Sequence, residues 1–165
     1  SDLSFRMATA LFGSAGIEWN LAAAGEEDLA AIADWIAAYR RLRPLLHGSV
    51  SGGSRVVRGD AADPAQRVHG VVADDRSRAV FSVAMLGAAQ AALPPPVRLP
   101  GLDPAAVYRV EPLFLGGRPR VVQDAPPPWF AHGSGELPGA VLGELGLPMP
   151  LLSPQQALLL ELTAL

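Results

Sequence analysis

A chain of 165 residues can hold one ordinary domain, or one small domain plus a fragment. Half of the residues are hydrophobic and 18% are charged, which excludes a disordered polypeptide. The net charge of −3, without a basic tract, argues against nucleic acid as the partner. All thirteen cations are Arg, which with the abundant Ala, Gly and Pro reads as a high-GC coding bias. With no cysteine, disulfides and thiolate chemistry are excluded. No apolar run approaches the ~20 residues of a membrane span. Ser1 opens neither a basic nor an apolar leader, which says little about secretion; the location is left open, with a cytoplasmic one favoured. An opening on Ser1-Asp2 without Met leads us to expect a piece of a longer chain whose native N-terminus lies elsewhere.

Residues 3–12 place Leu3, Met7, Ala10 and Leu11 at helical spacing, with Ser4, Arg6 and Thr9 between them. Gly13 and Gly16 punctuate a turn. Ile17, Trp19 and Leu21 then alternate with Glu18 and Asn20, the period of a strand with unlike faces. A helix is expected next, with Leu29, Ile32, Ile36 and Tyr39 in a stripe widened by Trp35, Leu42 and Leu46. Glu26, Glu27 and Asp28 in its first turn and Arg40, Arg41 and Arg43 near its end suit the helix dipole. Pro44 stops it or marks its last turn. Helix, single strand, helix leaves backbone groups unpaired on both sides of the strand, so it calls for neighbours. In a (β/α) barrel, Ile17, Trp19 and Leu21 would pack on helices while Glu18 and Asn20 point to the axis. The alternative is an edge strand in an α+β domain, with Glu18 in water.

Residues 47–53 (HGSVSGG) form the best boundary in the sequence. Beyond them the periodicity turns to strands. Residues 55–58 are a short strand, and 68–73 and 79–86 flank the turn Asp74-Asp75-Arg76-Ser77 as a hairpin. Phe81, Val83 and Met85 should share one face, with Ser82 and Ala84 on the other. A proline-rich loop and the turn at 100–104 precede a strand at 107–110. A second hairpin is expected from 113–115 to 120–122 around Gly116-Gly117. The stretch 125–135 reads as a loop pinned by Trp129 and Phe130, and 137–145 as a short helix weakened by Pro138, Gly139 and Gly143. Residues 155–163 make a central or end strand. Many short strands with Gly and Pro turns describe an antiparallel sheet or sandwich.

Little in this pattern carries chemistry of its own. His47, His69 and His132 are far apart and lack ligand-like spacing, so no metal is expected. Asp74-Asp75 could resemble a metal-binding pair but fits a solvated turn better. GSVSGGS lacks the Lys and following helix of a phosphate loop, and no serine sits in an elbow motif. No catalytic residue and no cofactor follow. Asn20 and Glu18 are the substrate-binding candidates, since strand ends line the active site of a barrel. A structural polar layer is the other role open to them.

The stretch LSFRMATALFGSAGIEWNL followed by EEDLAAIADWIAAYRRLRPLLHGS resembles the end of the catalytic barrel in α-galactosidases of glycoside hydrolase family 36. VVADDRSRAVFSV, LPGLDPAAVYRV and GAVLGELGLPMPLLSPQQALLLEL extend the resemblance in order over nearly the whole chain. The resemblance implies an α+β fragment with two parts. Residues 1–46 would be the terminal helix-strand-helix of a (β/α)8 barrel: helix 7, strand 8 and helix 8. Residues 47–165 would be a sandwich-like antiparallel β domain. It also implies a parent that is a retaining hydrolase of terminal α-galactosides, using two aspartates on earlier strands. A retaining pair stands ~5 Å apart. Those aspartates precede Ser1, so the isolated fragment is expected to be inactive and to brace the barrel. Its implied partners are the remainder of the barrel, the α-galactoside of the intact enzyme and, through an open barrel edge, a second copy. Asn20 stands where the family usually has Asp, and Gly25 replaces a Ser or Thr cap at a cost of a few tenths of a kcal/mol. The Pro-rich segment 116–133 does not align well. The rival reading is a carbohydrate-binding or assembly β module without catalysis, which would need exposed aromatics clustered on one sheet face.

Overall fold

The computed structural model describes residues 3–13, 16, 20–48 and 52–165. Its centre is β6 (Gln156–Ala164), whose sequence QALLLELTA is apolar on both faces, as a strand covered on two sides must be. It pairs antiparallel with β3 (Arg78–Met85) on one side and with β4 (Val107–Leu113) on the other. β2 (Gln66–Ala73) and then β1 (Ser54–Gly59) extend the sheet beyond β3, and β5 (Gly135–Pro138) closes it beyond β4. The order is β1-β2-β3-β6-β4-β5, antiparallel throughout.

The antiparallel β region expected after residue 47 is therefore present, as one six-stranded sheet lying between two other layers. On one face sit α1 (Leu3–Ala10) and α2 (Glu26–Leu46). Met7, Leu11, Ile32, Trp35, Leu42 and Leu45 bury there against Val71, Val80, Ala157 and Leu159. The opposite face carries Phe81, Val83, Met85, Leu158 and Leu160, packed on Leu99, Leu142, Leu147 and Leu152 from the long connections. Phe81, Val83 and Met85 share that face as their alternation requires, while Ala84 packs under the helices.

α2 follows its expected stripe, with Pro44 inside its final turn, where the proline has no N–H to give to the Arg40 carbonyl. Leu29 is an exception and lies exposed. The indole Nε1 of Trp35 donates to the Met7 carbonyl at 2.9 Å, which ties α2 to α1 inside the buried layer. Arg41 fixes α2 to the sheet. Its Nη1 and Nη2 donate to Oε1 and Oε2 of Glu161 at 2.6 and 2.8 Å, and Arg78 of β3 adds a third bond to Oε1 at 3.1 Å. Glu161 also lies directly opposite Glu111 in the β4 register. Like charges in that position repel, and the two arginines offset the repulsion.

Three expectations need correction. The hairpin around Gly116-Gly117 does not form. Both glycines take positive φ, Pro119 offers no backbone donor, and Val121 instead bridges Leu152. Gly116 turns against α1, where a Cβ would stand 2.8 Å from the Met7 sulfur. The stretch read as a helix over 137–145 divides: its start belongs to β5, and Val141–Leu145 is a single π-helical turn. Within 125–135, the three prolines lead into a short α3 (Pro128–His132). Trp129 and Phe130 are buried there as expected, and the Trp129 Nε1 donates to Pro148 O at 2.7 Å.

The β2–β3 turn places Arg76 at φ 60°, a left-handed conformation that non-glycine residues seldom hold. The fully buried Tyr108 secures it: its hydroxyl donates to Arg76 O at 2.6 Å and accepts from Asp103 N at 2.9 Å. Tyr108→Phe leaves both backbone groups without that partner and should cost about 1–3 kcal/mol, read by urea denaturation.

Burial, the largest influence on Glu161, pushes its carboxyl up. The hydrogen bonds and charge of Arg41, then those of Arg78, outweigh it and leave the carboxyl below its ordinary 4.5. A depressed carboxylate stabilises the fold above its unfolded value and ceases to do so as the pH falls through the folded one. Arg41 is half exposed, so solvent screens part of the attraction. Glu161→Gln should cost about 1–2 kcal/mol at pH 7 in denaturant titrations. The difference from the wild type should close as the pH falls below 4.5 and through the lowered folded value of Glu161.

Candidate functional site

Of the two substrate-binding candidates, Glu18 lies outside the described residues, as do Ile17 and Trp19 of the expected strand. Asn20 is exposed, and its Oδ1 accepts from Ala22 N at 3.2 Å, capping a 3-10 turn over Leu21–Ala23. The last residue assigned to the strand, Leu21, thus opens that turn and is exposed. A short amide side chain that bonds its own backbone two residues on competes with a strand ladder. Ala22, Ala23 and Ala24 supply no β-branched residue to favour the ladder in its place.

The histidines do not converge. His47 follows α2 and bonds the Tyr39 hydroxyl at 3.0 Å, His132 ends α3, and His69 lies in β2. Phe12 meets the His69 ring edge-on at 4.5 Å between centroids. Burial, and secondarily the charge of Arg58 opposite it, lowers the His69 pKa, so the ring is held neutral at pH 7. Asp74 and Asp75 serve the hairpin turn. Asp75 accepts from the Ser77 hydroxyl at 2.6 Å and the Ser77 amide at 2.9 Å, which lowers its carboxyl, and Asp74 pairs with Arg55 at 3.5 Å. Among the described residues no group of three or more His, Asp or Glu is placed to hold a metal ion. No helix there is long and apolar enough to cross a membrane.

Among the described residues the aromatics do not form a sugar-stacking platform either. Tyr108, Trp129 and Phe130 are buried in the core, and Phe114 packs edge-on against Phe130 with the Arg118 guanidinium over its ring. A concave feature lies among the described residues. Where β1 runs out at Asp60–Ala62, an open cleft of about 350 Å³ is walled by Pro95, Pro96, Arg98 and Leu145. No periodic signal marks it, because it joins three connections that are distant in the chain. Glu161 was also missed. A lone carboxylate between Leu160 and Leu162 in an apolar strand was the available clue, since such a charge needs a partner.

A family model for the glycosyl hydrolase family 36 C-terminal domain matches residues 66–162. An α-galactosidase of Escherichia coli is 30% identical over 166 residues, spanning 98% of this chain and 23% of that protein. Among solved structures, the family 36 α-galactosidase AgaB of Geobacillus stearothermophilus superposes with a TM-score of 0.75 at 23% identity, over all of this chain and 20% of its own. The α-galactosidase of Lactobacillus brevis gives 0.70 at 20% identity, over 97% of this chain and 20% of its own. The galactosidase domain of an α-galactosidase–sucrose kinase gives 0.69 at 26% identity, over 97% and 19%. The chain therefore spans about a quarter or less of the length of these relatives. By its sheet, its core and the family match over its strands, the chain belongs to the glycosyl hydrolase family 36 C-terminal domain family.

Proposed function

We propose that this chain is the C-terminal part of a retaining α-galactosidase, in which it completes and braces a catalytic barrel. The observation that carries this reading is the match of the C-terminal family model, joined to a relative named as an α-galactosidase that extends far beyond this chain. In this reading residues 1–46 supply the barrel's last helix, strand and helix, and residues 47–165 form the bracing domain. The geometry supports a bracing role. α1 and α2 share their buried layer with the sheet, so whatever abuts those helices is coupled to it.

The chemistry would then lie outside this chain. Glycoside hydrolysis with retention needs two carboxyl groups ~5 Å apart across the scissile bond. The rival reading, a sugar-stacking module, lacks its aromatic platform among the described residues.

The isolated chain should show no turnover of a chromogenic α-galactoside, and co-expression with the remainder of the enzyme should restore it. Turnover by the chain alone overturns the reading, as does full activity of the remainder alone. In this reading Asn20 would stand near the rim of the pocket in the intact enzyme, with Glu18 deeper and in need of a buried partner. Asn20→Ala there should raise KM roughly tenfold and leave kcat nearly unchanged, since rim contacts act alike on ground and transition states.

A further inference from the structure

We propose that the uncovered part of the helix-side sheet face, over β6, β4 and β5, is a docking surface for a helix. That helix belongs to the part of the parent enzyme outside this chain and carries a cation opposite Glu111. The proposal rests on the reading of the chain as part of a larger α-galactosidase. The chain spans 23% of its α-galactosidase relative, so most of such an enzyme lies outside it. The strand register defines the face. One cross-strand row runs Val56, Val71, Val80, Glu161 and Glu111. The helices bury Val71 and Val80, while Glu111 at the far end of the same row is exposed. The next row joins Arg78, Thr163, Arg109 and Glu136, of which the last three are exposed. Beyond it Pro138, Val107 and Leu165 lie side by side, with the Leu165 amide donating to the Val107 carbonyl at 2.9 Å.

An antiparallel sheet can turn one face to water, and a solvated face is then polar along its strands. This one is polar only in part. Val107 is 41% and Leu165 61% exposed, so an apolar strip completed by Pro138 borders the charged row. The charges are also unevenly matched. Arg41 and Arg78 both bind Glu161, and Arg109 binds Glu136 at 3.2 Å. Glu111 is left without an ion pair among the described residues, directly opposite the like charge of Glu161. A cation from outside relieves that juxtaposition, and apolar side chains cover the strip. A helix presents both together at positions three and four residues apart. It would also continue the layer that α1 and α2 begin over β2, β3 and β6. A second copy of this face is the poorer match. Its arginines are already engaged, and a two-fold pairing would add another Glu111 without a counter-charge.

The test is co-expression of this chain, carrying an affinity tag, with the remainder of the parent enzyme. The readouts are the amount of the remainder that co-purifies and its turnover of a chromogenic α-galactoside. Leu165→Asp and Glu111→Arg should each weaken the association roughly tenfold. Val122→Asp, equally exposed at 61% but beside the Val121–Leu152 bridge, should leave it unchanged. Urea denaturation of the isolated chain separates docking from folding. Neither face variant should lower the midpoint, and Glu111→Arg should hold or raise it by removing the like charge opposite Glu161. Wild-type association that survives both substitutions overturns this surface and leaves the α-galactosidase reading intact. No association of the wild-type chain overturns that reading, and the surface with it. A dimer of the isolated chain in light scattering that Leu165→Asp abolishes gives the face to a second copy and overturns the proposal.

Discussion

One face of the sheet is apolar only because two helices lie on it, and the rest of the structure depends on that cover. Val71, Val80, Ala157 and Leu159 would be in water without α1 and α2. Apolar burial holds the layer together without direction, at about 25 cal/mol per Å2 removed from water. Direction comes from two polar ties. Trp35 sets the two helices against each other through the Met7 carbonyl, and Arg41 sets α2 against the sheet through Glu161. The planar fork of Arg41 matches both carboxylate oxygens at once, which fixes orientation as well as distance.

The same arrangement explains why a charge is tolerated in the central strand. Glu161 lies opposite Glu111 in the register, and its burial opposes ionisation. Arg41 and Arg78 approach from different elements, the helix and the neighbouring strand. The helical layer and the sheet are thus joined by a group that neither layer could accommodate alone.

Much of this was legible from local patterns. The β2–β3 hairpin could be read because alternation and an Asp-rich turn agree, and Asp75 does hold the Ser77 amide. α2 could be read from its stripe and charges, and Pro44 falls within its last turn. Reading failed where tertiary contacts decide. Residues 113–122 look like a hairpin, yet Gly116 turns onto α1 and Val121 pairs with Leu152, thirty-one residues on. The division of 137–145 depends on β4 pairing with residues 135–138, a contact that helical propensity cannot foresee. Asn20 was assigned by alternation, while its own side chain forms a local turn. The cleft left no trace in any single segment, because Asp60, Arg98 and Leu145 come from three separate connections.

The Trp35–Met7 bond and the seating of Gly116 against α1 have a consequence for the continuity of the chain. α1 is gripped from two sides, by α2 and by the loop leaving β4, independently of the residues that connect it covalently to α2. A protease cut between Gly13 and Asn20 would therefore leave α1 seated in its place. The short helix could equally be supplied as a separate peptide and recovered in the same position, a plug held by its socket rather than by its cord.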